Sequence, residues 1–283
     1  MAKRLLLEQF SEGGMIILFF LIAILVALMI SFALKMAEYV YIMRHKKPYF
    51  IFTPFFLKKL NPIQKTILQE QFQFYIKLKP KHQKYFEHRV ASFIKDKQFV
   101  GRGGLTVTEE MKVLISATAA MLTFGFRDYY IGLISHIFIY PSEFYSTTND
   151  SYHKGEFNPK LETLVLSWKD FQKGFDIDDD NVNLGIHEFA HAIHLNSIKE
   201  RDVSSTIFSD SFKELTDLLS NEEALRKALI ESKYFREYAY TNQFEFVAVI
   251  IETFIESPEE FRTQFPEVYK KTKQMLNFNF AGY

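Results

Sequence analysis

Residues 185 to 194 read GIHEFAHAIH, which puts His187, Glu188, His191 and His194 on one short stretch of a chain with eight histidines in 283 residues. On a helix of 3.6 residues per turn, His187 and His191 stand one turn apart and point the same way. Two imidazoles so placed can grip a tetrahedral zinc ion from one side. Glu188 is rotated by about 100° from His187, so its carboxylate can reach a zinc-activated water without ligating the metal. Such a water has a pKa of about 7, and a neighbouring carboxylate can take its proton during attack on a peptide carbonyl. The pattern arises by chance in roughly one or two per cent of chains of this composition, and core histidines satisfied by hydrogen bonds also explain it. The chain contains no cysteine, so any metal must take imidazole and carboxylate ligands.

A third ligand must come from elsewhere. The stretch EFVAVIIETFIE is a nearly wholly apolar helix that carries Glu245, Glu252 and Glu256. A buried ionised carboxylate is costly unless it is paired or bound to metal. Glu245 and Glu252 are seven residues apart and share a face, which suits one ligand and one partner that orients a histidine. A salt bridge to an Arg or Lys elsewhere in the chain accounts for the same residues.

The elements that must position these groups begin at the N-terminus. Residues 15 to 34, MIILFFLIAILVALMISFAL, run without a charge. At about 1.5 Å per residue they span roughly 30 Å, the thickness of a bilayer's hydrocarbon core. A cleavable signal peptide has a shorter apolar region and a small-residue cleavage site, and neither stands out here. The expectation is a single-pass anchor in the lipid bilayer. Lys3 and Arg4 precede it, whereas Lys35, Arg44, Lys46 and Lys47 follow, with Lys58 and Lys59 further on. Positive charge resists translocation, so the long C-terminal part is expected in the cytoplasm. Lack of cysteine is compatible with that compartment. Lys plus Arg is 34 and Asp plus Glu is 34. With no basic excess or stripe, nucleic acid is not an expected partner.

Behind the anchor, Asn61 and Pro62 open one helix through NPIQKTILQEQFQFYIKL, and HQKYFEHRVASFIKDK forms a second. Thr106 and Glu109 have capping-box spacing for a third that ends near Gly125. SHIFIYP and TLVLSW read as strands with a polar loop of 142 to 160 between them, and the acidic DIDDDN precedes the histidine helix. A charged linker then leads to a buried helix over 242 to 257 and to the closing PEEFRTQFPEVYKKTKQML. TLVLSW is expected to be the edge strand on which an extended peptide lies.

The blocks FIKDKQFVGRGGLTVTEEMKVLISATAAMLTFG, IYPSEF, LVLSW, HEFAH and YAYTNQFEFVAV occur in this order over roughly residues 80 to 275. In this they resemble the Mlc titration factor family of zinc-dependent peptidases. HEFAHAIH and YAYTNQFEF are also similar to the catalytic domain of anthrax lethal factor, a related gluzincin. The resemblance implies that His187, His191 and Glu245 ligate zinc and that Glu188 is the general base. It also implies that Tyr238 donates its hydroxyl to the developing oxyanion, with Tyr240 as the fallback if the register slips. Glu252 and His194 are then expected to contact a ligand rather than the metal. His194 stands where the family usually has Asp, so a spare ligand and packing in the core are its other readings. The anchor is absent from the best-known soluble members.

The expected architecture is α+β. A mainly helical gluzincin-type metallopeptidase domain with a small sheet, residues 60–283, follows an anchor and juxtamembrane region, residues 1–59. The expected function is hydrolysis of a peptide or protein substrate at the membrane. The alternative is a non-catalytic protein-binding module that sequesters a regulatory protein partner there.

Overall fold

The computed structural model describes residues 2–53, 56–146, 150–176 and 182–283, with side chains in the first helix from Gly13 onward. The chain divides into two compact units, Met1–Tyr49 and Phe50–Tyr283. The first is built on α1 (Ala2–His45), which runs well past both ends of the apolar stretch. Every residue from 15 to 34 is exposed, which a core helix of a soluble domain would not tolerate. By length and composition this helix is able to cross a membrane. It ends where Lys46 adopts a left-handed conformation and its N–H reaches the Ile42 carbonyl at 2.7 Å.

The second unit opens with α2 (Pro62–Gln71), where Asn61 and Gln64 cap each other reciprocally at 2.9 and 3.1 Å. The single helix expected here is broken. Phe72 leaves the helical conformation so that its ring packs between Phe86 and Phe175, and α3 (Gln73–Lys77) resumes after it. Then come α4 (Pro80–Asp96), β1 (Gln98–Gly101) and α5 (Glu109–Leu122). The cap of α5 is Thr108, which accepts from the Met111 N–H at 3.2 Å, and not Thr106. After β2 (His136–Tyr140), the expected polar loop contains three short strands, β3 (Phe144–Ser146), β4 (Ser151–His153) and β5 (Gly155–Asn158). They are followed by β6 (Thr163–Ser167) and α6 (Trp168–Asp176). Positions 177–181 of the acidic run lie outside the described residues.

The histidine helix is α7 (Leu184–Lys199). The segment read as a charged linker is instead helical, as α8 (Val203–Asn221) and α9 (Glu223–Glu231). Its charges occupy the outer face while Ile207, Phe208, Phe212 and Leu215 are buried, a helical stripe diluted by polar residues. A 3₁₀ turn (Glu237–Tyr240) leads to α10 (Gln243–Glu256), α11 (Pro258–Gln264) and α12 (Pro266–Met275). The whole is mainly helical with a small sheet, the expected class.

The four-stranded sheet has the order β1-β2-β6-β5, with β1, β2 and β6 parallel and β5 antiparallel to β6. This corrects the expectation for TLVLSW. β6 is internal, and four of its five side chains are buried, as a strand covered on both faces requires. Among the described residues the edges are β1 and β5, and all four residues of β5 are half-buried. α7 packs against α10, α8 and α5, and β5 runs beside it.

Candidate metal centre

Asn183 caps α7, its side-chain oxygen accepting from the Ile186 N–H at 3.0 Å. The helix is buried on nearly all sides from Gly185 to Ile193, so its polar side chains must find partners within the protein. His187 and His191 project together, with ring centroids 4.5 Å apart. Opposite them, Asn242 caps α10 by accepting from both Phe244 and Glu245 N–H groups at 2.9 Å. That cap fixes Glu245 in the first turn, where the helix dipole favours an anion.

Three ligand atoms converge. His187 Nε2 and His191 Nε2 are 3.0 Å apart, and Glu245 Oε2 lies 3.1 Å from the first and 3.3 Å from the second. A tetrahedral ion with ligands at about 2.0–2.1 Å spaces its donor atoms about 3.3–3.4 Å apart. The triangle is therefore already close to the size that a metal such as zinc needs. Two imidazole nitrogens and one carboxylate oxygen brought to one point are a donor set that a metal ion can take. The residues fit a metal ion.

Burial and the close contacts shift the ionisation of all three groups. Burial pulls the His187 imidazole down, but its bonds to Glu245 and Glu252 outweigh this and leave it raised to about 9. Burial raises the Glu245 carboxyl, and the two histidines overcome that and hold it far below the usual carboxylate range. His191 is lowered, chiefly by burial. Its ring stacks on Phe244 at 3.8 Å between centroids, nearly parallel, which fixes its plane.

Glu252 lies two turns along α10 on the same face and is 1% exposed. Its Oε2 is 3.0 Å from His187 Nδ1, and its Oε1 accepts the Asn183 N–H at 2.9 Å. A carboxylate at Nδ1 leaves Nε2 as the nitrogen with a free lone pair, the arrangement a metal-binding histidine needs. The salt bridge considered from sequence is also present, because Arg236 Nη2 contacts Glu252 Oε2.

Glu188 is buried at 8% exposure, and its carboxylate lies on the side of α7 that faces Gly155 of β5. Burial raises its carboxyl to about 7; His187 opposes the shift, and Glu245, Glu252 and Glu156 add to it. Tyr238 stands on the 3₁₀ turn with its ring 5.9 Å from that of His187, half exposed. Burial, and the Glu245 carboxylate that its hydroxyl meets, push its phenol up to about 12. Tyr240 is engaged elsewhere, its hydroxyl donating to the Leu229 carbonyl at 2.9 Å. His194 is outside the convergent group. It packs against Phe212 and Phe208 of α8 and against Phe244, and burial lowers it to about 4.

Three contributors were not foreseen. Arg236 had no local pattern to single it out. Asn183 caps α7 and also ties Glu252 to it. Gly155 on β5 lies so close to α7 that a Cβ there would sit 2.6 Å from Glu188 Oε1 and 2.6 Å from the Leu184 side chain. A lone glycine inside a strand marks such an approach, but HKGEF was read as loop. A cavity of about 500 Å³, lined in part by Phe72, Phe74, Phe175 and Tyr283, includes none of the convergent side chains.

An uncharacterized protein of Synechocystis sp. is 24% identical over 229 residues, covering 76% of this chain and 83% of that protein. The model of the glucose-regulated metallo-peptidase M90 family matches residues 56–277, which include every residue of the centre described above. The chain belongs to the glucose-regulated metallo-peptidase M90 family, the family of the Mlc titration factor.

Proposed function

We propose that this chain is a membrane-anchored zinc metallopeptidase, held in the bilayer by residues 15–34 with its domain in the cytoplasm. The observation that carries the reading is the convergence of His187, His191 and Glu245 beside the buried carboxyl of Glu188. Zinc bound by these three would polarise the scissile carbonyl and lower the pKa of a water molecule. Glu188 then acts as general base, taking the water's proton on its carboxylate and passing it to the leaving amine. Its raised carboxyl suits that task, because a base works best with a pKa near the working pH. Tyr238 donates its hydroxyl to the oxyanion. Glu252 orients His187. The edge strand β5 offers unpaired backbone groups to an extended peptide, and its approach to Glu188 at Gly155 would bring that peptide to the base.

Testing this begins with the full chain in detergent, its metal content and its action on a peptide library. Zinc-dependent cleavage, abolished by a chelator, supports the proposal. Zinc without hydrolysis of any peptide would turn it toward a module that sequesters a partner. Tyr238→Phe should slow turnover about 10²-fold with zinc content unchanged, as for loss of one oxyanion donor. Unaltered turnover would remove Tyr238 from the mechanism.

Gly155→Val should displace the Glu188 carboxylate, since even a Cβ meets it at 2.6 Å. We expect turnover to fall about 10–10²-fold and stability to drop by about 1–3 kcal/mol, the usual cost of overpacking. A Gly155→Val protein with wild-type turnover would show that β5 does not set the position of the base.

The topology has its own test. A reporter active only in the cytoplasm, fused after Tyr283, should be active, and protease added outside intact cells should spare the domain. Degradation of the domain would place it outside and redirect the search toward envelope proteins as substrates.

A further inference from the structure

We propose that Arg236 is a positioning residue that ties His187 to the turn carrying Tyr238, an inference that rests on the metallopeptidase reading. Arg236 precedes Tyr238 by two residues, at the N-cap of the 3₁₀ turn. Its Nη2 contacts Glu252 Oε2 and lies 3.3 Å from His187 Nδ1. Glu252 is thus gripped by three partners from two segments: the guanidinium of the turn, and the His187 imidazole and Asn183 amide of α7.

This arrangement does two things. Glu252 is 1% exposed, and a buried carboxylate needs more than one imidazole to satisfy it. By supplying a cationic partner on the same oxygen, Arg236 holds Oε2 against Nδ1 and keeps Nε2 turned toward Glu245 and His191. The same contact also docks the turn against the middle of α10, and so sets how far Tyr238 stands from His187. A planar, permanently charged guanidinium is suited to lying beside both groups at once, which a lysine ammonium is not. One ion pair therefore links the metal ligand to the oxyanion donor.

Arg236→Gln and Arg236→Lys in the full chain test this. The measurements are zinc affinity by chelator competition, the absorption spectrum of the cobalt(II)-substituted protein, and kcat and KM on a peptide the wild type cleaves. Arg236→Gln should weaken zinc binding about 10–100-fold, the usual effect of removing a group behind a ligand. It should also shift the cobalt bands and lower kcat more than it raises KM. Arg236→Lys keeps a charge for Glu252 without the planar fork, and should fall between the two. Its loss in kcat should shrink in a Tyr238→Phe background, because the two residues act through one geometry.

Wild-type zinc affinity and an unshifted spectrum in Arg236→Gln overturn the proposal. So does full additivity of Arg236→Lys with Tyr238→Phe. If Arg236→Gln does not fold, Arg236→Lys decides in the same way, weakened zinc binding supporting the link and unchanged binding and spectrum refuting it. A wild-type chain that binds no metal would instead overturn the metallopeptidase reading itself, and this inference with it.

Discussion

Glu188→Gln is expected to keep its metal and its fold and to lose peptide hydrolysis by about 10²–10⁴-fold, the contribution of a positioned general base. Glutamine has the same shape, so the space between α7 and Gly155 stays filled and no cavity opens. It cannot accept a proton from water. Glu188 is not part of the convergent triad, so zinc content should match the wild type. Stability should not fall, because a neutral amide is easier to bury than a carboxylate whose ionisation its surroundings already disfavour. Thermal unfolding, zinc content and cleavage rate measured together separate the alternatives. If Glu188→Gln cleaves peptide at the wild-type rate, another group is the base.

Glu245→Ala should strip most of the zinc, because it removes the anionic member of the triad and leaves two imidazoles on one helix. The consequence reaches stability. A ligand present at about 1,000 times its dissociation constant stabilises the folded state by about 4 kcal/mol. Wild-type protein should therefore melt at a higher temperature with zinc than after chelation. In Glu245→Ala that difference should largely vanish. Glu252→Ala provides the contrast, since loss of a group that only orients His187 should weaken zinc about 10–100-fold without abolishing binding. Full zinc in Glu245→Ala, together with its loss in Glu252→Ala, would move the ligand two turns along α10.

The residues of the centre differ in how far they could be read in advance. His187, Glu188 and His191 are related by helical rotation alone, and a helix needs only its local sequence to set that rotation. Glu245 and Glu252 were legible as a pair because two carboxylates on an apolar helix must be satisfied by something. Their division of labour was open from spacing. The family resemblance favoured Glu245 as the ligand, and the structure sets Glu245 against both Nε2 atoms and Glu252 against Nδ1. The resemblance also separated Tyr238 from Tyr240, whose hydroxyls are indistinguishable by composition. The structure sends one to Glu245 and the other to a backbone carbonyl of α9.

What the sequence by itself determined is therefore local. It set the facing histidines on α7, the reciprocal cap at Asn61 and Gln64, the apolar length of α1, and the absence of thiolate ligands. Each follows from covalent geometry or composition within a few turns of chain. Tertiary structure decided what depends on partners far apart in sequence. Glu252 meets His187 across 65 positions and Asn183 across 69, and Arg236 joins them from a third segment. The sheet edge beside α7 is β5 and not β6, because a strand's place is set by which neighbours pair with it, and alternation along one strand does not reveal that. Gly155 matters because α7 comes to lie beside it. Helical periodicity is a property of the backbone, whereas the approach of two elements is fixed only when the whole core closes around them.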